Sequence, residues 1–153
     1  MVITRATFLS STYNTAVTAT AVGEVESEGF QQSYDILKRS DMNFYGAANA
    51  IASKLTAEGT VSMALQPDSF TLRCLHGIMG KHTPGSAYTD VGTLEEIAHN
   101  ETTVLPSFTF RVGRDEKEHV FPGQVVESIS VSASIGEYAM MTVNTMGAKQ
   151  DAT

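Results

Sequence analysis

The chain has 153 residues, 42% of them hydrophobic, enough for one ordinary core and therefore one domain spanning 1–153. Acidic residues outnumber basic ones by 17 to 10, a formal charge of −7, which argues against a surface that grips nucleic acid or an anionic membrane by charge. Charged residues make up only 18%, below the roughly 25% usual in soluble domains, and the wealth of Ser and Thr leans the chain towards strand.

Met1 to Thr20 carries a single Arg5 and no sustained apolar run, so it does not read as a secretory signal. Nowhere do roughly 18 apolar residues follow one another, so no membrane-spanning helix is expected. Glu24, Glu26 and Glu28 alternate with Val25 and Ser27, which would place three carboxylates on one face of an extended segment. Gln31 to Lys38, built around Tyr34, Ile36 and Leu37, is a weaker strand candidate. The segment Arg39 to Gly59 is too long for a hairpin turn, and Ala47 to Leu55 within it reads as helical or irregular. Thr60 to Leu65 then alternates Val61, Met63 and Leu65 as a strand.

Pro67 to Met79 is the main helix. Asp68 caps it, Phe70, Cys74, Leu75, Ile78 and Met79 fall at helical spacing as its core face, and Gly80 ends it. Lys81 to Gly92, with Pro84, Gly85 and Gly92, reads as a loop. Ser107 to Gly113 alternates Phe108, Phe110 and Val112 with polar residues, and the mixed charges from Arg114 to His119 read as a solvated turn. From Gln124 to Ile135, Val125, Ile129, Val131, Ala133 and Ile135 at odd positions alternate with Ser128, Ser130, Ser132 and Ser134, with Val126 and Glu127 as exceptions. A turn at Gly136-Glu137 and a strand from Tyr138 to Thr145 complete a long hairpin, so the expected fold is mainly β. It is an antiparallel sandwich or barrel with one flanking α-helix, a long inter-strand loop at 39–59 and a short tail at 148–153.

Chemistry is hard to find. His76, His82, His99 and His119 lack the i, i+4 spacing and the Cys partners of a metal site, so no metal or cofactor is expected. No G-x-S-x-G, P-loop or dinucleotide fingerprint is present, and no nucleophile and base pattern suggests catalysis. Cys74, the only cysteine, cannot form an intramolecular bridge and sits on the apolar helix face as a small hydrophobe. Met140 is the outward neighbour of the core-phased Met141 and is left as a contact candidate. Asn100-Glu101-Thr102 matches a glycosylation pattern that is easily met by chance.

Taken in order, three stretches resemble the tail tube proteins of tailed bacteriophages and related tailed viruses. Gly59-Thr60-Val61-Ser62-Met63-Ala64-Leu65-Gln66-Pro67-Asp68-Ser69-Phe70 looks like the family's strand entering its helix. His99 to Phe110, with Leu105-Pro106-Ser107-Phe108, resembles the strand after its variable loop. Phe121-Pro122-Gly123-Gln124 to Ala133, with Gly136-Glu137 and Gly147, resembles its terminal hairpin.

The resemblance implies a structural virion protein that polymerises as stacked hexameric rings, forming the conduit for viral DNA ejection. Its implied partners are copies of itself, the tape measure, the tail tip or baseplate and the terminator, with DNA passing through without specific binding and no membrane. Its implied place is the virion tail, after assembly in the host cytoplasm. The long segment then becomes an inter-subunit arm, with Met42, Phe44, Tyr45, Ile51 and Leu55 as apolar contacts. Glu24, Glu26 and Glu28, or else Glu127 and Glu137, become candidates for an acidic lumen that repels phosphates. The competing readings are a receptor- or carbohydrate-binding or decoration module of a virion, which the absence of Trp disfavours, and a small hydrolase.

Overall fold

The structure is a computed structural model that describes residues 3–7, 13–18, 21–38, 50–88, 92–99 and 105–152. Nine strands form one continuous antiparallel sheet that curls on itself as two halves sharing a single strand, β9 (Lys117–Ser132). In the first half, β2 (Ala21–Glu24), β1 (Ile3–Thr7) and β8 (Phe108–Arg114) lead to the N-terminal part of β9, and β11 (Asp151–Ala152) covers the same part. In the second half, the C-terminal part of β9 pairs with β10 (Met140–Gly147), which pairs with β5 (Ala50–Ala64). The far edge of β5 carries β3 (Ser27–Glu28) and then β4 (Gln31–Lys38).

The change of halves is made at Gly123. It has φ +67, and a Cβ there would lie 2.9 Å from the backbone of Asn14, so both the left-handed turn and the close approach call for glycine. The next residue, Gln124, is fully buried and accepts a hydrogen bond from Thr145 Oγ1 at 3.1 Å.

Between the halves lies one core. Phe30 stacks at 5.0 Å from both Phe110 and Phe121, and Phe70 meets Phe110 edge-on at 6.3 Å. Val61, Met63, Met141 and Val143 fill the space from the other half. Helix α1 (Ser69–Met79) closes the open side. Asp68, extended at φ −108, accepts from the Thr71 amide at 2.7 Å, and Gly80 at φ +83 donates its N–H to the His76 carbonyl. Phe70, Cys74 and Gly77 make the buried stripe; Ile78 packs on the core, and Leu75 and Met79 are half-buried.

Three sequence expectations are corrected. Residues 50–55 are not helical and 50–59 is not loop: both belong to β5, because pairing with β4, joined by β10 from Ala57 onward, overrides the helix preference of an Ala-, Lys- and Leu-containing stretch. The segment 39–49, with Met42, Phe44 and Tyr45, lies outside the described residues. Lys81 to Gly92 is mostly strand. Here β6 (Gly80–Tyr88) pairs with β7 (Gly92–His99) as a separate hairpin beside α1, with the ladder interrupted between Pro84 and Ala87, where the proline lacks an amide. The third correction is the charged run at 114–119, of which only Asp115-Glu116 is turn; Lys117 onwards is β9.

Candidate assembly surface

The second half of the sheet has a buried face and a wet one, set by strict alternation along β5 and β10. Ala57, Gly59, Val61 and Met63 point inward together with Met141, Val143 and Thr145. Outward, cross-strand partners join hands through hydroxyl and amide groups. Thr60 Oγ1 donates to Asn144 Oδ1 at 3.0 Å, and Asn144 Nδ2 donates to Ser128 Oγ at 2.9 Å. Ser62 and Thr142 share a hydrogen bond at 3.2 Å, and Ser33 and Thr56 another at 3.0 Å. Ser130 stands opposite Thr142, and Ser132 opposite Met140.

This face is polar without being cationic. Ala57–Ala64, Val125–Ser132 and Met140–Gly147 contain no Lys, Arg or His. Its carboxylates, Glu58 and Glu127, sit at one end around a polar cleft of about 400 Å³ that Gln31, Thr60 and Asn144 also line.

Among the described residues, both lateral edges of this half are open: β4 pairs only with β5, and the C-terminal part of β9 pairs only with β10. Apolar side chains are exposed along them: Tyr34, Ile36, Leu37 and the neighbouring Ile51 at one edge, and Val131 at the other. Beyond Ala57, β5 runs on without β10 and with β4 alone, so its start and the end of β4 project as a two-stranded arm. Bare edges with apolar flanks invite pairing with another chain.

Glu24, Glu26 and Glu28 do not lie along one strand. Glu24 ends β2 in the first half, Glu26 lies in a bend, and Glu28 belongs to β3 in the second half, because the chain crosses between halves there. Glu24 and Glu26 are exposed, but Glu28 is nearly buried and bound by Arg114 through two hydrogen bonds of 2.8 and 2.7 Å. Those bonds hold its carboxyl below the usual carboxylate range, against the opposing effect of burial, with the Phe30 amide and the charge of Arg114 adding to the lowering. Glu127 and Glu137 are both exposed, in β9 and in the β9–β10 turn. Of the remaining arm candidates, Ile51 is exposed and Leu55 is half-buried. Sequence reasoning missed Arg114 as a partner and missed the hydroxyl ladder, although the serines at 128–134 had already marked a wet face.

The described residues hold no group of three His, Cys, Asp or Glu that could bind a metal, and no helix among them is long and apolar enough to cross a membrane. Burial pushes the Cys74 thiol up to about 12, with the charge of Asp68 as the lesser cause, so it is a poor nucleophile.

No family model matches the chain, and no curated protein matches it. Solved structures do. A chain in the tail of an empty gene transfer agent particle, refined with C6 symmetry, superposes at TM-score 0.58 with 10% identity, over 84% of this chain and 81% of that one. The SPP1 tail tube matches at 0.59 with 10% identity, over 97% and 74%. The fold is that of these tail and tube subunits. A chain of the sheath-tube complex of the PVC extracellular contractile injection system, in its extended state, matches at 0.57 with 11% identity, over 99% and 88%. At such identities the likeness is one of fold, and it extends over 84–99% of the chain.

Proposed function

We propose that this chain is a tail tube subunit, a structural protein that closes side by side into rings and stacks into a hollow conduit. The observation that carries this reading is the second half-sheet: two open edges on opposite sides, apolar flanks at each, and a neutral hydroxyl face between them. Edge joined to edge is a heterologous contact, which closes into a ring where the rotation permits. The C6 symmetry of the gene transfer agent tail supports six as the ring number. The β4–β5 arm, continuing towards Met42, Phe44 and Tyr45, reaches a neighbouring subunit.

In such a ring the hydroxyl face lines the lumen. Phosphates and acidic segments find no cation among Ala57–Ala64, Val125–Ser132 and Met140–Gly147 to hold them, and no counterions are released by contact there. Glu58 and Glu127 then supply the lumen's acidic groups on this face, with Glu137 at its rim, in place of Glu24, Glu26 and Glu28. The cargo is DNA if the tail is a virion's. The other partners of the reading are a tape measure, a terminator and a baseplate or tip, met in the virion tail after assembly in the host cytoplasm.

Negative-stain electron microscopy of the purified full chain at high concentration tests the reading. Rings or hollow rods of uniform diameter are expected. Monodisperse monomers at every concentration would overturn it.

A further inference from the structure

Two features occupy opposite ends of the β9–β10 hairpin. At one end, the turn after Ser132 is closed by a hydrogen bond from the Glu137 amide to the Ser134 carbonyl at 3.2 Å, with Gly136 at φ +87. It presents Ile135 fully exposed and Tyr138 85% exposed, with Glu137 between them. At the other end, β10 stops at Gly147 while β5 and β9 continue, and a cleft of about 510 Å³ opens between those two strands. Leu55, Leu105, Val125 and Met146 make it mainly apolar; Lys54 stands on one wall and Glu127 on the other. The seven residue steps from Met140 to Gly147 separate the two ends by roughly 24 Å.

We infer that the turn of one copy seats in this cleft of the next copy along the tube axis, Ile135 and Tyr138 filling the apolar floor and Glu137 meeting Lys54. The inference rests on the stacked-subunit reading above and names the surfaces that do the stacking. Three observations select a second copy as occupant. A knob and a hole at opposite ends of one hairpin make a head-to-tail contact, which repeats along an axis without closing. Among the described residues nothing covers the exposed apolar pair and nothing fills the cleft. The charges match. Glu137 is the only charge of the turn, and Lys54 is the only cation among the described residues lining the cleft and has no ion pair among them. Glu127 on the opposite wall repels Glu137 and accepts from the Tyr138 hydroxyl, so the turn enters in one orientation.

The test is charge exchange in the full chain: Glu137→Lys, Lys54→Glu and the double variant, followed by tube length in electron micrographs and assembly rate by light scattering. Each single exchange is expected to cut the assembly rate at least tenfold and leave rings, and the double exchange to recover it to within about threefold. Ile135→Asp is expected to leave rings alone. Melting curves matching the parent chain confirm folding, and Glu137→Gln with Lys54→Gln replaces any variant that melts early. Single exchanges that form tubes of normal length, or a double exchange no better than either single, overturn the joint while the tube reading stands. A parent chain that forms neither rings nor tubes removes both.

Discussion

Arg114 holds Glu28 across 86 residues of sequence, donating from Nε to Oε1 at 2.8 Å and from Nη2 to Oε2 at 2.7 Å. The same Nη2 reaches the Phe30 carbonyl, and the Phe30 amide donates to Glu28 Oε2 at 3.0 Å. The end of β8 is thereby tied to β3, and the arrangement fixes Phe30 where it enters the aromatic core. Arg114→Met should cost about 1.5–3 kcal/mol, towards the lower figure because Arg114 is partly exposed. Urea unfolding at neutral pH measures it. The folded carboxyl titrates below its unfolded value of roughly 4.3, so this stabilisation is complete above that pH and is lost as pH falls through the folded value. The gap between parent and variant should therefore narrow as pH falls below about 4.3, and a gap that is constant with pH would show the pair to be idle.

Gly77 sets how closely α1 approaches the sheet. A Cβ there would lie 2.6 Å from Val126 Cγ2 and 2.7 Å from the Phe108 ring, so Gly77→Ala should destabilise by about 1–3 kcal/mol despite alanine's better helix propensity. Gly113, in exposed strand with nothing within 4 Å of a Cβ, is the matched control. Gly113→Ala should change the urea midpoint little, and in the stabilising direction if at all.

The Cys74 thiol, 3% exposed, should not react with an aromatic disulfide reagent in the folded chain at pH 8 and should react fully in denaturant. Partial reaction under native conditions would mean that α1 opens away from the sheet. Because the thiol is raised to about 12, deeper alkaline conditions that keep the fold should not speed the reaction appreciably below that value.

On the hydroxyl face, Ser130→Lys and Thr142→Lys should leave the monomer's melting temperature within a few degrees of the parent, since both side chains point outward. On the proposed tube reading, assembled tails carrying either variant should release DNA more slowly, and the slowing should ease with added salt. Release at the parental rate, from tails shown to contain the variant, would place this face elsewhere than the lumen.

How much of this was legible in the sequence follows from the range of each interaction. The helix was readable to its ends because Asp68, the spacing of Phe70 and Cys74, and Gly80 all act within a turn or two of backbone. The β9–β10 hairpin was readable for the same reason: period-two alternation and a glycine turn are local signals. The strand at Ala50–Leu55 was not, because its composition favours helix and only its pairing with β4 makes it extended. The β6–β7 hairpin was hidden by Pro84 and Gly85, which mark loops unless a partner strand tolerates the break.

Composition and charge by themselves argued against a surface that grips phosphate, and local patterning determined an antiparallel β domain with one capped helix. The placing of the negative charge was a tertiary matter. Glu24, Glu26 and Glu28 alternate in sequence as one face of a strand would, yet the chain crosses between half-sheets within those five residues and Arg114 takes the last of them. The face without cations was assembled instead from Ser128, Ser130, Thr60, Ser62, Thr142 and Asn144, brought together from three strands. Backbone periodicity can say which side of its own strand each residue occupies; only strand pairing decides which strands share that side.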